Sequence, residues 1–426
     1  MKLYPHQTEG LEAVKDLDHV AFYWDMGLGK TYAGSEKMMQ LGAKVNLVVC
    51  QKSKIQDWYD HFKENYTQCV VQDLTNEKDL NLFLSRIEHG FLSKCFHIGI
   101  INYDLIWRRK ELLKLKDFTL LLDESSLIQT ETAKRSKFIL KMQPKNVILL
   151  SGTPTGGKYE KLWSQMHLLG WNISKQLYWK QFVKVEYLDT VGRSIPIVTG
   201  YKNVDRLKRK MNQYGCQFLK TDEVFDLPDQ VFQKMRIPAS KEYRIFKKDR
   251  VVEMGNGTLV GDTTLTKMLY ERMLCGHFSE AKLKAFADLV ESTDDRLVVF
   301  YNFTAELESM IQVVQKNCER SLSFVNGSDK DLTAYENYDD SITFVQYQAG
   351  AMGLNLQKAN KMIFFSLPLS SELYEQSKKR IHRIGQNRPC FYYQLIVKGS
   401  IEEKILKTLE MRKDYTEKLF EKDDEQ

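Results

Sequence analysis

Long hydrophobic runs are missing from this sequence. No stretch approaches the ~18 uninterrupted apolar residues that would mark a membrane-crossing helix, and the opening Met1-Lys2-Leu3-Tyr4-Pro5 is not a signal peptide. The chain is therefore expected to stay in the compartment where it is made, without a membrane partner. Cysteine is sparse in pattern: Cys50, Cys69, Cys95, Cys216, Cys275, Cys318 and Cys390 are scattered, odd in number and never form a C-x-x-C pair. That usage suits a reducing cytosol and excludes both a disulfide framework and a zinc site. Only eight prolines argue against long disordered linkers. A net charge of +6 permits a polyanionic partner without requiring one. What remains is a globular composition, 43% hydrophobic and 28% charged, over 426 residues. Single cores stop growing near roughly 250 residues, so two lobes are expected.

The stretch that organises the chain is Asp25-Met26-Gly27-Leu28-Gly29-Lys30-Thr31, which follows the apolar run Val20 to Trp24 and precedes a helix-forming segment, Tyr32 to Leu41. Strand, glycine turn, lysine, hydroxyl and helix make a phosphate cradle. Gly27 and Gly29 let backbone N–H groups converge, and the helix adds the positive end of its dipole. Lys30 would neutralise the β and γ phosphates of ATP, and Thr31 would hold Mg2+. Trp24 stands where the generic P-loop pattern has a glycine, so the match is to the variant MGLGKT. Upstream, Leu3-Tyr4-Pro5-His6-Gln7 opens a short helix. Gln7 offers an amide for both edges of adenine, and Tyr4 offers a ring for stacking.

Apolar runs at Asn46 to Cys50, Ile98 to Asn102, Thr119 to Asp123 and Asn146 to Leu150 alternate with helical stretches such as Lys54 to Asn65 and Glu77 to His89. This predicts an α/β fold whose parallel sheet is covered on both faces, with the nucleotide at the carboxyl ends of the strands. Leu120-Leu121-Leu122 runs into Asp123-Glu124, an acidic pair placed for Asp123 to hold Mg2+ and Glu124 to orient or deprotonate water. A further strand enters Ser151-Gly152-Thr153-Pro154-Thr155, either a γ-phosphate sensor or an ordinary strand-end turn.

In that order these motifs resemble superfamily 2 helicases. Gly353-Leu354-Asn355-Leu356 and Arg380-Ile381-His382-Arg383-Ile384-Gly385-Gln386 narrow the resemblance to the Swi/Snf-like DNA translocases, in a compact form like bacteriophage or prophage members, which would act in the bacterial host cytoplasm. The resemblance implies two RecA-like lobes, ATP hydrolysed in the cleft between them, and double-stranded DNA bound across both by a monomer. Ser125-Ser126 stand where the family usually has Ala-His, which bears on the histidine's coupling role and leaves the roles of Asp123 and Glu124 in place. Ala351 replaces a usual glycine, and Tyr347-Gln348 replace Thr with a basic residue, so DNA contact there is expected to be weaker.

Residues 1–226 are expected to form the ATP-binding lobe, with a helical and hairpin insertion at about 158–220 whose turn lies at Thr190-Val191-Gly192-Arg193. Residues 227–240 would be the inter-lobe linker and 241–426 the second lobe. The basic cluster Lys202, Arg206, Lys208, Arg209 and Lys210 is either a solvated face or a phosphate track. Strands are predicted at Leu297 to Tyr301, Leu322 to Asn326, Ile342 to Gln346, Lys361 to Phe365 and Phe391 to Ile396. Gln348 to Gly353 forms a glycine-interrupted loop for phosphate or nucleotide. A helix over Glu372 to Gln386 would put Gln376, Arg380 and Arg383 on one face, and the resemblance makes the two arginines fingers for the γ-phosphate. Lys378 and Lys379 fall off that face and are expected in solvent. The implied DNA grips are Lys52, Ser53, Asn102, Tyr103 and Gln348. The expected activity is an ATP-driven motor on duplex DNA. A strand-separating DNA or RNA helicase and a non-catalytic ATP-gated clamp are the alternatives.

Overall fold

The computed structural model describes residues 3–89, 95–190, 193–255, 257–350 and 354–420. The chain divides into two compact units, the first taking Met1–Val224 and the residues from Asp414 on, the second Phe225–Lys413.

The first unit is built on strands β1 (His19–Trp24), β2 (Val45–Cys50), β3 (Cys69–Asp73), β4 (Phe96–Asn102), β5 (Phe118–Asp123), β6 (Asn146–Leu150) and β9 (Cys216–Leu219), with an antiparallel ribbon of β7 (Val183–Thr190) and β8 (Arg193–Tyr201) before the last of these. Their order across the sheet is β3-β4-β2-β5-β6-β1-β9, and every pairing is parallel. Parallel strands are covered by helices on both faces, which is why Val45–Cys50 and Asn146–Leu150 are buried along their whole length and read as unbroken apolar runs. The direction also matters. All the carboxyl ends lie along one edge, so the residues after Trp24, Cys50, Asn102, Asp123 and Leu150 emerge side by side.

Two strands of this sheet escape a periodicity reading. Cys69–Asp73 and Cys216–Leu219 are short, and Cys216–Leu219 is recruited by pairing with Ala21 to Trp24, which lie far away in sequence. The predicted ribbon is present between residues 183 and 201. The centre of its turn, Val191 and Gly192, lies outside the described residues, as do the acidic residues 421–426.

In the second unit β10 (Gln230–Ile237), a small hairpin of β11 (Val251–Met254) and β12 (Gly257–Val260), β13 (Leu297–Tyr301), β14 (Leu322–Val325), β15 (Lys330–Asp331), β16 (Ile342–Gln346), β17 (Lys361–Phe364) and β18 (Cys390–Val397) follow in turn. The main sheet has the order β10-β18-β17-β13-β16-β14-β15, parallel except for the last pair. The segment expected as a linker, 227–240, is corrected here. Gln230 to Ile237 pair residue for residue with Cys390 to Val397, making an edge strand, and Phe232 stacks on Tyr392 at 4.7 Å. The apolar residues Val231, Phe232, Met235 and Ile237 supply strand propensity that the flanking prolines masked.

The helix expected over Glu372 to Gln386 is also corrected. It spans only Ser371–Lys378. Long-range donors compete for the carbonyls that would have continued it: the Tyr392 hydroxyl donates to Lys378 O at 3.0 Å, closer than His382 N at 3.4 Å, and Leu356 N donates to Arg380 O at 3.0 Å. Gln386 then pins the following turn, its Nε2 donating to Ala359 O at 2.8 Å and its Oε1 accepting from Arg388 N at 3.0 Å. Lys378 is not solvated. It is 5% exposed, paired with Glu375 at 2.7 Å and set over the rings of Tyr374 and Phe232.

The start of the C-terminal helix Ile401–Phe420 is tied to this unit by a buried ion pair, Lys282 Nζ to Glu402 Oε1 at 2.5 Å, with Glu402 Oε2 accepting from Val397 N at 3.0 Å. Burial raises the Glu402 pKa even with Lys282 opposing it. Removing one partner strands a charge. Lys282→Met is expected to lower stability by about 3–5 kcal/mol, and the double change Lys282→Met with Glu402→Leu to recover most of it, as read from urea unfolding midpoints.

Candidate nucleotide site

β1 delivers the chain into the turn Asp25 to Gly29, where Gly27 and Gly29 have φ of +90° and +71°. L side chains rarely adopt that backbone, and at Gly29 a Cβ would also meet Gln7 Nε2 at 2.1 Å, so glycine is required there twice over. Gly29 caps α2 (Lys30–Leu41), whose first amides face the turn. Lys30 folds back so that Nζ donates to Trp24 O at 2.8 Å and Asp25 O at 3.0 Å. The turn is anchored from two sides. Asp25 Oδ2 accepts from Thr221 N at 3.2 Å, and α1 (Pro5–Ala13) packs Gln7 against it.

Gln7 is 2% exposed, with Oε1 accepting from Tyr4 N at 2.9 Å and Nε2 donating to Leu28 O at 3.2 Å. Its amide thus clamps the helix start to the glycine turn, and reading adenine would require it to exchange these bonds. Tyr4 is 57% exposed, its ring stacked on His6.

β5 carries Asp123 and Glu124 to the same edge. Glu124 has φ of +56°, a left-handed backbone costing of order 1–3 kcal/mol for a residue with a side chain. The strain aims its carboxylate at hydroxyls: Oε1 accepts from Ser151 Oγ at 2.8 Å and Ser126 Oγ at 3.1 Å. Ser151 Oγ in turn accepts from Thr153 N at 3.1 Å. The turn after β6 lies close to the glycine turn, since a Cβ on Gly152 would sit 3.4 Å from Trp24 O and 3.6 Å from Lys30 Nζ. The sequence-predicted residues Lys30, Asp123, Glu124 and Ser151 therefore gather in one neighbourhood of the first unit. Burial raises the pKa of both carboxyls, with Lys30 pulling each back down and Asp123 pushing Glu124 further up.

Two residues in this neighbourhood carry little local signal. Trp58, on α3 (Ile55–Asn65), donates Nε1–H to Asp123 Oδ2 at 2.8 Å. Gln165 is fully enclosed and ties three loops: Oε1 accepts from Ser125 Oγ at 2.8 Å and Tyr23 OH at 3.0 Å, while Nε2 donates to Pro154 O at 2.7 Å. In the sequence it is one polar residue among others, with Ser164 and His167, in the mixed stretch Leu162 to Leu169. Tyr103, expected as a DNA grip, is corrected. It is 2% exposed, and its hydroxyl donates to Asp123 O at 2.9 Å. A large aromatic at the end of β4 finds its burial inward, beside the neighbouring strand end. Asn102 is likewise enclosed, whereas Lys52 and Ser53 are exposed on the turn Lys52–Lys54.

For a cation, Asp123 and Thr31 offer hard oxygen donors, and the Asp123 carboxylate is only half-buried, which leaves it within reach of an ion. Both features fit Mg2+. Among the described residues there is no group of three or more His, Cys, Asp or Glu that could hold a metal ion.

In the second unit Gln376 is 8% exposed and Arg380 1%, while Arg383 Nη1 donates to Leu354 O at 3.2 Å and burial lowers its pKa. The arginines occupy the turn after the helix and do not share a helical face with Gln376. Gly353 lies outside the described residues. Gln348 is exposed and lines a cavity of about 200 Å³ with Arg272, Asn302, Gln346, Ser370 and Leu373. Asn302, unnoticed in the sequence, has Nδ2 fixed to Ser366 Oγ at 2.8 Å and Leu367 O at 3.1 Å.

The sequence pattern of the SNF2-related domain matches residues 6–280, and that of the helicase conserved C-terminal domain matches 281–385. A SWI/SNF-related, matrix-associated, actin-dependent regulator of chromatin from Mus musculus is 22% identical over 91% of this chain and 40% of its own length. An uncharacterized ATP-dependent helicase of Bacillus subtilis is 24% identical over 95% of this chain and 77% of its own. The chain spans only 40% of the mouse and human relatives. Among solved structures, a Sulfolobus solfataricus SWI2/SNF2 ATPase core in complex with dsDNA has 19% identity and a TM-score of 0.45, covering 98% of this chain and 92% of that one.

Two outcomes follow from this geometry. Gln165→Leu leaves two hydroxyls and a carbonyl without their partner and is expected to cost about 2–4 kcal/mol in urea unfolding. Glu124→Gln removes a half-buried carboxylate whose raised pKa makes its charged form a burden on the fold. The variant should melt above the parent at neutral pH. That advantage should shrink as pH falls to the ordinary carboxylate range, about 4, where both states of the parent hold the proton, as thermal melts across pH would read.

Proposed function

The chain belongs to the SNF2-related family, and from that premise we propose that it is an ATP-hydrolysing motor that moves along double-stranded DNA. The observation that carries the proposal is the convergence of a lysine, two carboxylates and a serine turn on one glycine loop within the first unit. Such a set binds a triphosphate and activates water.

The amides of the turn and of the start of α2 hold the phosphates, and the Lys30 ammonium leaves its two carbonyls to neutralise them. Thr31 and Asp123 hold Mg2+, which offsets charge on the β and γ phosphates when bound. Glu124 takes the proton of the attacking water, and the Ser126 and Ser151 hydroxyls hold its Oε1 so that the second oxygen keeps a set direction. Burial raises the basicity of this carboxylate, which improves it as a proton acceptor near neutral pH. Arg380 and Arg383 supply positive charge for the transition state. Tyr4 stacks on the base and Gln7 reads its edge.

Lys52, Ser53 and Gln348, the exposed members of the predicted set, are proposed as phosphate-tracking contacts, with Asn302 and Arg272 added from the cavity beside Gln348. Contacts of this kind read the backbone, so binding should be salt-dependent and nearly blind to sequence. The relatives' names support a helicase or chromatin-regulating ATPase of this type.

Duplex DNA is expected to stimulate ATP turnover. Glu124→Gln should retain ATP binding and abolish turnover, and Arg383→Ala should lower kcat by about 10³-fold or more. Triplex displacement by the purified chain, with no unwinding of a forked duplex, would support translocation. Turnover surviving in Glu124→Gln would refute the assignment of the base.

A further inference from the structure

The carboxylate proposed to hold the metal has a neutral side-chain donor fixed to one of its oxygens. Trp58 Nε1–H points at Asp123 Oδ2 from 2.8 Å. The indole is 2% exposed, stacked on Phe62 at 5.6 Å and 27° and edged by His61 at 5.8 Å and 84°. It therefore has little freedom to turn. From the other side, the Tyr103 hydroxyl holds the Asp123 carbonyl at 2.9 Å. An aspartate with backbone and one carboxylate oxygen both fixed can present its remaining oxygen in only one direction.

That constraint matters for Mg2+ more than for most ions, because Mg2+ demands near-ideal octahedral geometry and tolerates little wandering in its ligands. An indole is also a donor only, so no rotamer or tautomer reverses the bond, and it never titrates. We propose that Trp58 is a positioning residue whose indole N–H orients Asp123 for the metal of the metal–nucleotide complex. The inference rests on the ATPase reading above. A purely structural tryptophan would use Asp123 merely to satisfy a buried N–H, and the two roles separate by experiment.

Two versions of the full chain remove the hydrogen bond: Trp58→Phe, and replacement of Trp58 by β-(3-benzothienyl)alanine, which keeps the bicyclic shape with sulfur in place of N–H. The second preserves packing should the first fail to fold. Mn2+ binding to the chain with ADP, followed by electron paramagnetic resonance, reads the metal directly. Both versions should bind Mn2+ about 10- to 100-fold more weakly than the parent, the range for loss of a group that orients a ligand. Affinity for ADP in EDTA should be unchanged, and high Mg2+ should restore ATP turnover. Parent-like Mn2+ affinity in the benzothienyl version overturns the inference, as does an equal loss of ADP affinity in EDTA. A parent chain that binds ADP in EDTA but no Mn2+ with it overturns the inference and leaves nucleotide binding standing. A parent that binds no nucleotide at all overturns the ATPase reading itself.

Discussion

Two adjacent carboxylates half-buried at the end of β5 set the terms for the first unit. Taking charge out of water is costly unless it is paired and hydrogen-bonded. Asp123 and Glu124 are provided for accordingly: Lys30 lies near both, Trp58 and Tyr103 hold the aspartate, and Ser126 and Ser151 hold the glutamate. The pKa of each carboxyl nevertheless stays raised by burial.

The hydroxyl pair after Glu124 shows how the same linkage is built from small residues. Ser126 and Ser151 converge on one carboxylate oxygen, joining the turn after β5 to the turn after β6. Ser125 faces the other way, into Gln165, which also receives Tyr23 from the strand ahead of the glycine turn and donates to Pro154. Three strand ends are thereby fixed to one buried amide. Buried networks of this kind are stabilising only when complete, which makes their members sensitive far beyond their size.

A related device organises the second unit. Glu306 is fully enclosed, and its Oε2 accepts from Asn302 N at 2.9 Å, Phe303 N at 3.2 Å and Ser366 Oγ at 2.8 Å. Ser366 Oγ then receives Asn302 Nδ2. A buried acid thus shapes the loop after β13 and fixes the side chain that lines the cavity beside Gln348. In both units the polar groups sit where parallel strands release the chain, the place at which the sheet's own hydrogen bonding stops and side chains must take over.

Local pattern was enough to reveal the alternation of apolar strands and helices, the glycine turn before Lys30, the acidic pair at Asp123-Glu124 and the Arg380 to Gln386 motif, because each is written in a few neighbouring residues. The range 227–240 and the length of the helix after Ser370 were misjudged for one reason. Strand pairing with Cys390 to Val397, and capture of the Lys378 and Arg380 carbonyls by Tyr392 and Leu356, are long-range events that outweigh local propensity. Tyr103 read as a surface contact because nothing nearby in sequence reveals that Asp123 lies beside it. The sequence by itself determined which chemistry the chain carries: lysine, carboxylates, hydroxyls and arginines in a set order. Only the tertiary structure decided which of them meet and what holds them, Trp58 on Asp123 and Gln165 among three loops, because hydrogen bonds between residues 40 to 142 positions apart leave no trace in spacing.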